Sequence, residues 1–143
     1  AERKKPLLMH SLRVGMYLYS HDYPHDIVLG GLLHDVLEWT DKGEETIRSE
    51  FGDRVCEIIK ANTKNRTIQD PAERRREYIS RCIQLGEDAT IVKAADTLDS
   101  YQYYSDTKNR GEIQRCIDLA KAILERLPNT FHDSIFDKLK TVQ

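Results

Sequence analysis

The chain has 143 residues, with 22 basic and 24 acidic side chains, a net charge of −2, and 39% hydrophobic against 32% charged residues. That length supports one domain with its own core, here expected to span 1–143. The mixture excludes disorder, an apolar run of the roughly 18 residues that span a membrane, and the strong basic excess of a dedicated DNA binder. The charged start Ala1 to Pro6 and the interruptions at His10, Ser11 and Arg13 do not form a signal peptide, so a cytoplasmic chain without a membrane or DNA partner is expected. Cys56, Cys82 and Cys116 form no Cys-x-x-Cys and read as free thiols of a reducing compartment.

Apolar residues recur at spacings of three and four along the chain, which predicts an all-α bundle of about seven or eight helices. The first runs from about Pro6 through Leu12, Met16 and Tyr19 and stops before Tyr23-Pro24. The second starts at His25 or Asp26. Its segment Ile27 to Leu33 is apolar all round, which predicts a central helix buried on every side, with Gly30-Gly31 letting a neighbouring backbone come close. A loop around Asp41 to Gly43 precedes a short helix through Ile47 to Phe51, and Gly52 separates it from one through Val55, Ile58 and Ile59. Asp70-Pro71-Ala72-Glu73 combines an N-cap, a first-turn proline and an acid three residues on, and Gly86 ends that helix. Three more follow: from about Asp88 through Ile91, Leu98 and Tyr101, from Gly111 to Leu127 before Pro128, and from Ser134 to Val142.

The chemistry concentrates where polar residues interrupt apolar surroundings. His34 and Asp35 directly follow the most apolar stretch, and an unpaired carboxylate there costs several kcal/mol. A divalent metal satisfies both residues, since imidazole and carboxylate are ligands of first-row ions. His10 on the first helix and Asp96 after Ile91 to Ala95 complete a four-ligand set. On the residues alone, a hydrogen-bonded core histidine and a capping or ion-paired aspartate stay open as alternatives. Glu38 lies four residues after His34 and three after Asp35, on one helical face with them, where a carboxylate orients or deprotonates a water. Lys93, Asp99, Ser100 and Tyr103 surround Asp96 at helical spacings and are expected to line one wall. Arg13, three residues after His10, either binds phosphate or pairs with an acid. Lys60 to Arg81 holds seven basic residues against three acidic ones, which suits either a phosphorylated ligand or a solvated face.

His10, His34-Asp35 and Asp96 stand as H…HD…D, which resembles the HD-domain superfamily of metal-dependent phosphohydrolases. Within it the chain is most similar to the hydrolase domain of the RelA/SpoT family, which removes the 3′-pyrophosphate of (p)ppGpp with manganese. Pro6 to His10 resembles that family's Pro-Tyr-x-x-His, and Leu32-Leu-His-Asp-Val-Leu-Glu-Trp-Thr40 resembles its Leu-Leu-His-Asp-Val-Val-Glu-Asp-Thr. Phe51 to Val55, Thr63-Lys64 and Lys93-Ala-Ala-Asp96 resemble its Phe-Gly-x-x-Val, Val-Thr-Lys and Lys-Leu-Ala-Asp.

The resemblance implies an HD-type helical fold, a phosphorylated nucleotide as substrate and a catalytic Glu38. The family's second acid is Trp39 here; Asp41 is the candidate replacement charge, and Trp39 itself offers a face for a base. The family's nucleotide-contacting asparagine falls at Ser100. Its base-stacking arginine falls at Ala1, with Arg3 or Lys4 as substitutes. Two-metal HD proteins carry extra histidines between the second and last ligand. None occurs here between Asp35 and Asp96, so one divalent ion is expected, manganese by the resemblance and the mixed N/O ligands. The expected reaction is attack of an activated water on phosphorus, with Glu38 positioning the water and Lys93 or Arg13 offsetting phosphate charge. The alternatives are an HD-domain 5′-nucleotidase, suggested by His10-Ser-Leu-Arg-Val14, and a non-catalytic metal- or nucleotide-binding module, suggested by Trp39.

Overall fold

Capping and breaking residues set the element order in the computed structural model, which describes residues 4–38, without the side chain of Glu38, and 43–143. Pro6 precedes α1 (Leu7–Ser20), and Pro24 precedes α2 (His25–Leu33), which runs into a single 3-10 turn, Val36–Glu38. α3 (Gly43–Phe51) and α4 (Asp53–Ala61) follow, then α5 (Pro71–Leu85), α6 (Glu87–Thr107), α7 (Arg110–Arg126) and α8 (Ile135–Leu139). Gly52 at φ 94° and Gly86 at φ 147° hold the tight breaks before α4 and α6, conformations a side chain rarely adopts. Asp70 caps α5 by accepting from the Glu73 amide at 3.0 Å. Asn109, which the sequence reading passed over, caps α7 through the Glu112 amide at 3.2 Å. The eight helices of the described residues match the predicted order. α8 is shorter than expected and gives way after Leu139 to a turn that still buries Val142.

The predicted central helix is not the observed one. Val28, Leu29, Leu32 and Leu33 of α2 are only half-buried, and α2 packs on α1, α4 and α6. α6 packs against α1, α2, α4, α5, α7 and α8 and is the hub of the bundle. Its buried residues include Ala89, Thr90, Ala94, Ala95, Thr97 and Ser100, whose small side chains let neighbours approach from all sides. That composition lowers its hydrophobicity, so its centrality does not register as an apolar run. The paired glycines of α2 act as expected, though side chains and not backbone fill the space: a Cβ on Gly30 would meet Ile58 Cγ2 at 2.7 Å, and one on Gly31 would meet Leu18 Cδ1 at 2.4 Å.

The main core joins Val14 and Leu18 to Ile58, Ile79, Val92, Ile123, Ile135 and Leu139. A smaller cluster of Ile47, Val55, Cys56 and Ile59 receives Leu33 and Leu37. These two leucines bracket His34-Asp35, so the chain is pinned in apolar packing on both sides of this polar dipeptide. Cys56, Cys82 and Cys116 are buried and unpaired. No helix of the described residues is long and apolar enough to cross a membrane.

Candidate metal centre

Three helices bring the predicted ligands together. His10 shares the inward face of α1 with Val14 and Leu18, and its ring is fully buried. Its Nδ1 lies 2.7 Å from Asp99 Oδ2 and its Nε2 lies 2.8 Å from Asp96 Oδ1, both carboxylates of α6. Burial pushes the imidazolium pKa down, but the hydrogen bonds to Asp96 and Asp99 outweigh it and hold His10 above the usual range. His34 stands at the C-terminal end of α2, where its Nδ1 lies 2.6 Å from the Gly31 carbonyl. Nδ1 therefore carries a proton, and Nε2 faces the cluster. That nitrogen lies 3.3 Å from Asp35 Oδ2 and 3.5 Å from Asp96 Oδ1. Asp35 Oδ2 in turn lies 4.0 Å from His10 Nε2.

His34 Nε2 and Asp35 Oδ2 are buried and have no hydrogen-bond partner. Two electron-pair donors facing each other across 3.3 Å repel unless a cation lies between or beside them. A first-row ion fits this arrangement. At bond lengths of about 2.0–2.2 Å its ligand atoms lie no more than about 4.4 Å apart, and four of the six donor separations, at 2.8, 3.3, 3.5 and 4.0 Å, fall within that limit. The donor atoms of His10, His34 and Asp96 all lie within 4.8 Å of one another.

Around these ligands the charges are ordered in layers. Burial pushes the Asp96 carboxyl up, but Lys93 and Lys5, with His34 and His10, hold it well below the usual carboxylate range. Lys93 is 3% exposed, places Nζ 3.1 Å from Asp96 Oδ2, and rests over the Tyr78 ring at 4.6 Å. Burial lowers its pKa; Asp96 and its other neighbours more than reverse this and raise it. Arg13 grips Asp99 in a fork, Nε to Oδ1 at 2.7 Å and Nη2 to Oδ2 at 2.9 Å. Its acidic partner is therefore Asp99, the second of the two readings the sequence left open.

The expected single wall along α6 divides in two. Lys93, Asp96, Ser100 and Tyr104 border a cavity of about 360 Å³, whereas Asp99 and Tyr103 turn toward Arg13, which stands 5.7 Å from the Tyr103 ring. At 100° per residue, positions 99 and 103 fall on one side of Asp96 and positions 93, 100 and 104 on the other. Lys4 pairs with Glu112 of α7. Glu38 lies in the 3-10 turn that follows Asp35, with its side chain outside the described residues; Arg3, Trp39 and Asp41 also lie outside them.

The cavity adds Lys5 and Arg115, which the sequence did not single out, to Lys64, Arg74 and Arg75 of the basic stretch. The basic surplus between Lys60 and Arg81 was the available signal, but it splits in space. Arg74 and Arg75 reach the cavity, Lys60 pairs with Glu44 and Arg81 with Glu77 along a second cleft of about 720 Å³, and Lys64 borders both. Arg75 Nε is buried without a hydrogen-bond partner.

Comparison with known proteins agrees with this geometry. The family described as HD domain matches residues 1–127. This chain belongs to the HD-domain family. MESH1 of Drosophila melanogaster, a guanosine-3′,5′-bis(diphosphate) 3′-pyrophosphohydrolase, is 32% identical to this HD domain over 134 residues, 90% of this chain and 74% of that protein. MESH1 of Danio rerio is 31% identical over 142 residues, 94% and 77% of the two chains. The guanosine-3′,5′-bis(diphosphate) 3′-pyrophosphohydrolase of Aquifex aeolicus is 32% identical over 128 residues, 86% of this chain but 18% of that protein. This chain therefore spans less than a fifth of the Aquifex protein and about three quarters of the MESH1 proteins. The structure of a metazoan ortholog of SpoT that hydrolyses ppGpp superposes with a TM-score of 0.77 at 24% identity, covering 99% of this chain and 84% of its own. Lmo0812 of Listeria monocytogenes EGD-e superposes with a TM-score of 0.73 at 24% identity, covering 98% and 96%. These two structures carry the fold: the HD domain here is an all-α bundle of the same architecture.

Proposed function

We propose that this HD domain hydrolyses a nucleotide carrying a 3′-pyrophosphate, of the guanosine bis(diphosphate) type, with a divalent ion held by His10, His34, Asp35 and Asp96. The observation that carries the reading is the pair of unpartnered donors, His34 Nε2 and Asp35 Oδ2, set among the ligands of a site that opens on a cation-lined cavity. Similarity to 3′-pyrophosphohydrolases over most of this chain supports the substrate class. Manganese is the ion of choice by the family resemblance and the mixed N/O ligands. Bound there, a divalent ion lowers the pKa of a water and polarises a phosphoryl oxygen.

The chain's own residues supply the remainder. Glu38 takes a proton from the attacking water as the water oxygen bonds to phosphorus, the 3′-oxygen–phosphorus bond breaks to release pyrophosphate, and that proton is passed on to the 3′-oxygen, which leaves as a hydroxyl. Lys93, behind Asp96, keeps that ligand ionised, while Arg74, Arg75 and Arg115 offer counter-charge to the phosphates. Ser100 borders the same cavity and donates to a phosphate or ribose oxygen.

The test is a panel of phosphorylated nucleotides with manganese, magnesium, cobalt and nickel, with pyrophosphate and orthophosphate assayed separately. Pyrophosphate release from a 3′-pyrophosphorylated guanosine is the expected result. Orthophosphate from monophosphates alone would replace this reading with a 5′-nucleotidase. Trp39 in place of the family's second acid favours one further reading, a binding module, for which nucleotide binding without turnover in any metal is the signature. His34→Ala and Asp96→Ala should lose the ion on dialysis, measured by elemental analysis, whereas Glu38→Gln should retain it and lower kcat by about a hundredfold or more.

A further inference from the structure

Asp96 is flanked by two lysines with different positions. Lys93 approaches the outer oxygen, Oδ2, from within the core and touches no other proposed ligand atom. Lys5 approaches the other oxygen. Its Nζ lies 3.5 Å from Asp96 Oδ1, 3.2 Å from His10 Nε2 and 2.5 Å from Ser100 Oγ. Oδ1 and Nε2 are the atoms these two residues would offer to an ion. The Lys5 side chain is 18% exposed, and its backbone amide lies 3.3 Å from the Tyr104 hydroxyl, just before Pro6 leads into α1. The ammonium is therefore held against the ligands by its own anchoring, and Ser100 serves as its hydrogen-bond acceptor.

We propose that Lys5 sets the metal affinity of this site by competing with the divalent ion for Asp96 Oδ1 and for the space in front of His10 Nε2. The proposal rests on the ligand assignment of the preceding section and concerns a residue outside the ligand set. A lone pair bonded to a metal cannot also accept a hydrogen bond from an ammonium, and two cations on one carboxylate oxygen repel. Each binding event therefore includes the loss of the Lys5 contacts. The displaced ammonium stays at the edge of the cation-lined cavity, which Lys5 already borders.

The test is manganese binding by chelator competition, with the thermal midpoint measured both in chelator and in excess manganese. Lys5→Met keeps the unbranched stem and removes the charge. It should bind manganese about tenfold more tightly than wild type, melt lower in chelator, and show a larger rise in midpoint when manganese is added. Lys5→Arg should stay near wild type, since the charge is retained. Lys4→Met is the control for general electrostatics, because Lys4 pairs with Glu112 and its loss should leave manganese affinity unchanged. A merely structural lysine would lower both midpoints together. Equal or weaker manganese binding in Lys5→Met, or an equal gain in Lys4→Met, overturns the competition while the ligand assignment stands. Failure of wild type to bind any divalent ion overturns both.

Discussion

Asp99 touches His10 on one side and Arg13 on the other, and neither the metal nor the cavity claims it. By accepting from His10 Nδ1 it leaves Nε2 as the atom that faces Asp96, and the Arg13 fork fixes the carboxylate that does so. Asp99→Asn should therefore weaken manganese binding by about 10- to 100-fold while the protein stays folded, measured by chelator competition and circular dichroism. The same cluster shapes the pH profile of protein stripped by chelator. His10 is held above its ordinary 6.5, so its contribution to stability is complete below that pH and is lost as pH rises through the folded value. Asp99 is held below its ordinary 3.8 by His10 and Arg13 against the opposing effect of burial, so its contribution is present above 3.8 and is lost as pH falls through the folded value. The thermal midpoint of stripped protein should peak between about pH 4 and 6.5 and decline on the alkaline side. His10→Gln should flatten that alkaline decline; a decline of undiminished size in the variant would assign it to another group.

At the scale of the helix, the contact between α1 and α2 decides whether His10 and His34 share one ion. Gly31 lies against Leu18 and Val14 of α1, and a Cβ there would stand 2.4 Å from Leu18 Cδ1 and 3.1 Å from Val14 Cγ1. Gly31→Ala should cost about 1–3 kcal/mol by overpacking. Because it pushes apart the two helices that carry His10 and His34, it should weaken manganese binding as well. Denaturant unfolding and manganese titration of the same variant check both effects. α2 was legible as a helix because its apolar run is bounded by Pro24 and His34-Asp35. Its rank in the bundle was not legible, since a run of leucines and valines looks the same whether half-buried or enclosed. α6 carries the opposite pattern. Its alanines, threonines and serine read as a modestly polar helix, yet six other helices close on it because those side chains are small.

Across the whole molecule, the family match ends at residue 127 while the core continues. Ile135, Phe136, Leu139 and Val142 are buried with Ile123 and Val92 in the main cluster, and α8 packs on α6 and α7. Removal of residues 128–143 should therefore expose that face of α6 and cost several kcal/mol, on the scale of about 2–5 kcal/mol for a single buried leucine cut to alanine. The truncated chain should melt far lower or fail to fold, by calorimetry, whether or not manganese is present. The sequence by itself determined the helical class, the helix boundaries to within a few residues, and His10, His34 and Asp96 as candidates for one cluster. Apolar periodicity, Asp70-Pro71 and the glycine breaks act locally, and a carboxylate beside an apolar run needs a cation, a hydrogen-bond donor or water wherever it folds. Only the tertiary structure decided that α6 is the centre, that Arg13 serves Asp99, that Lys5 reaches His10 and Asp96, and that the basic stretch divides between two clefts. Each of those depends on which helix faces which across the bundle, and residues 86 to 95 positions apart meet there by packing and not by spacing along the chain.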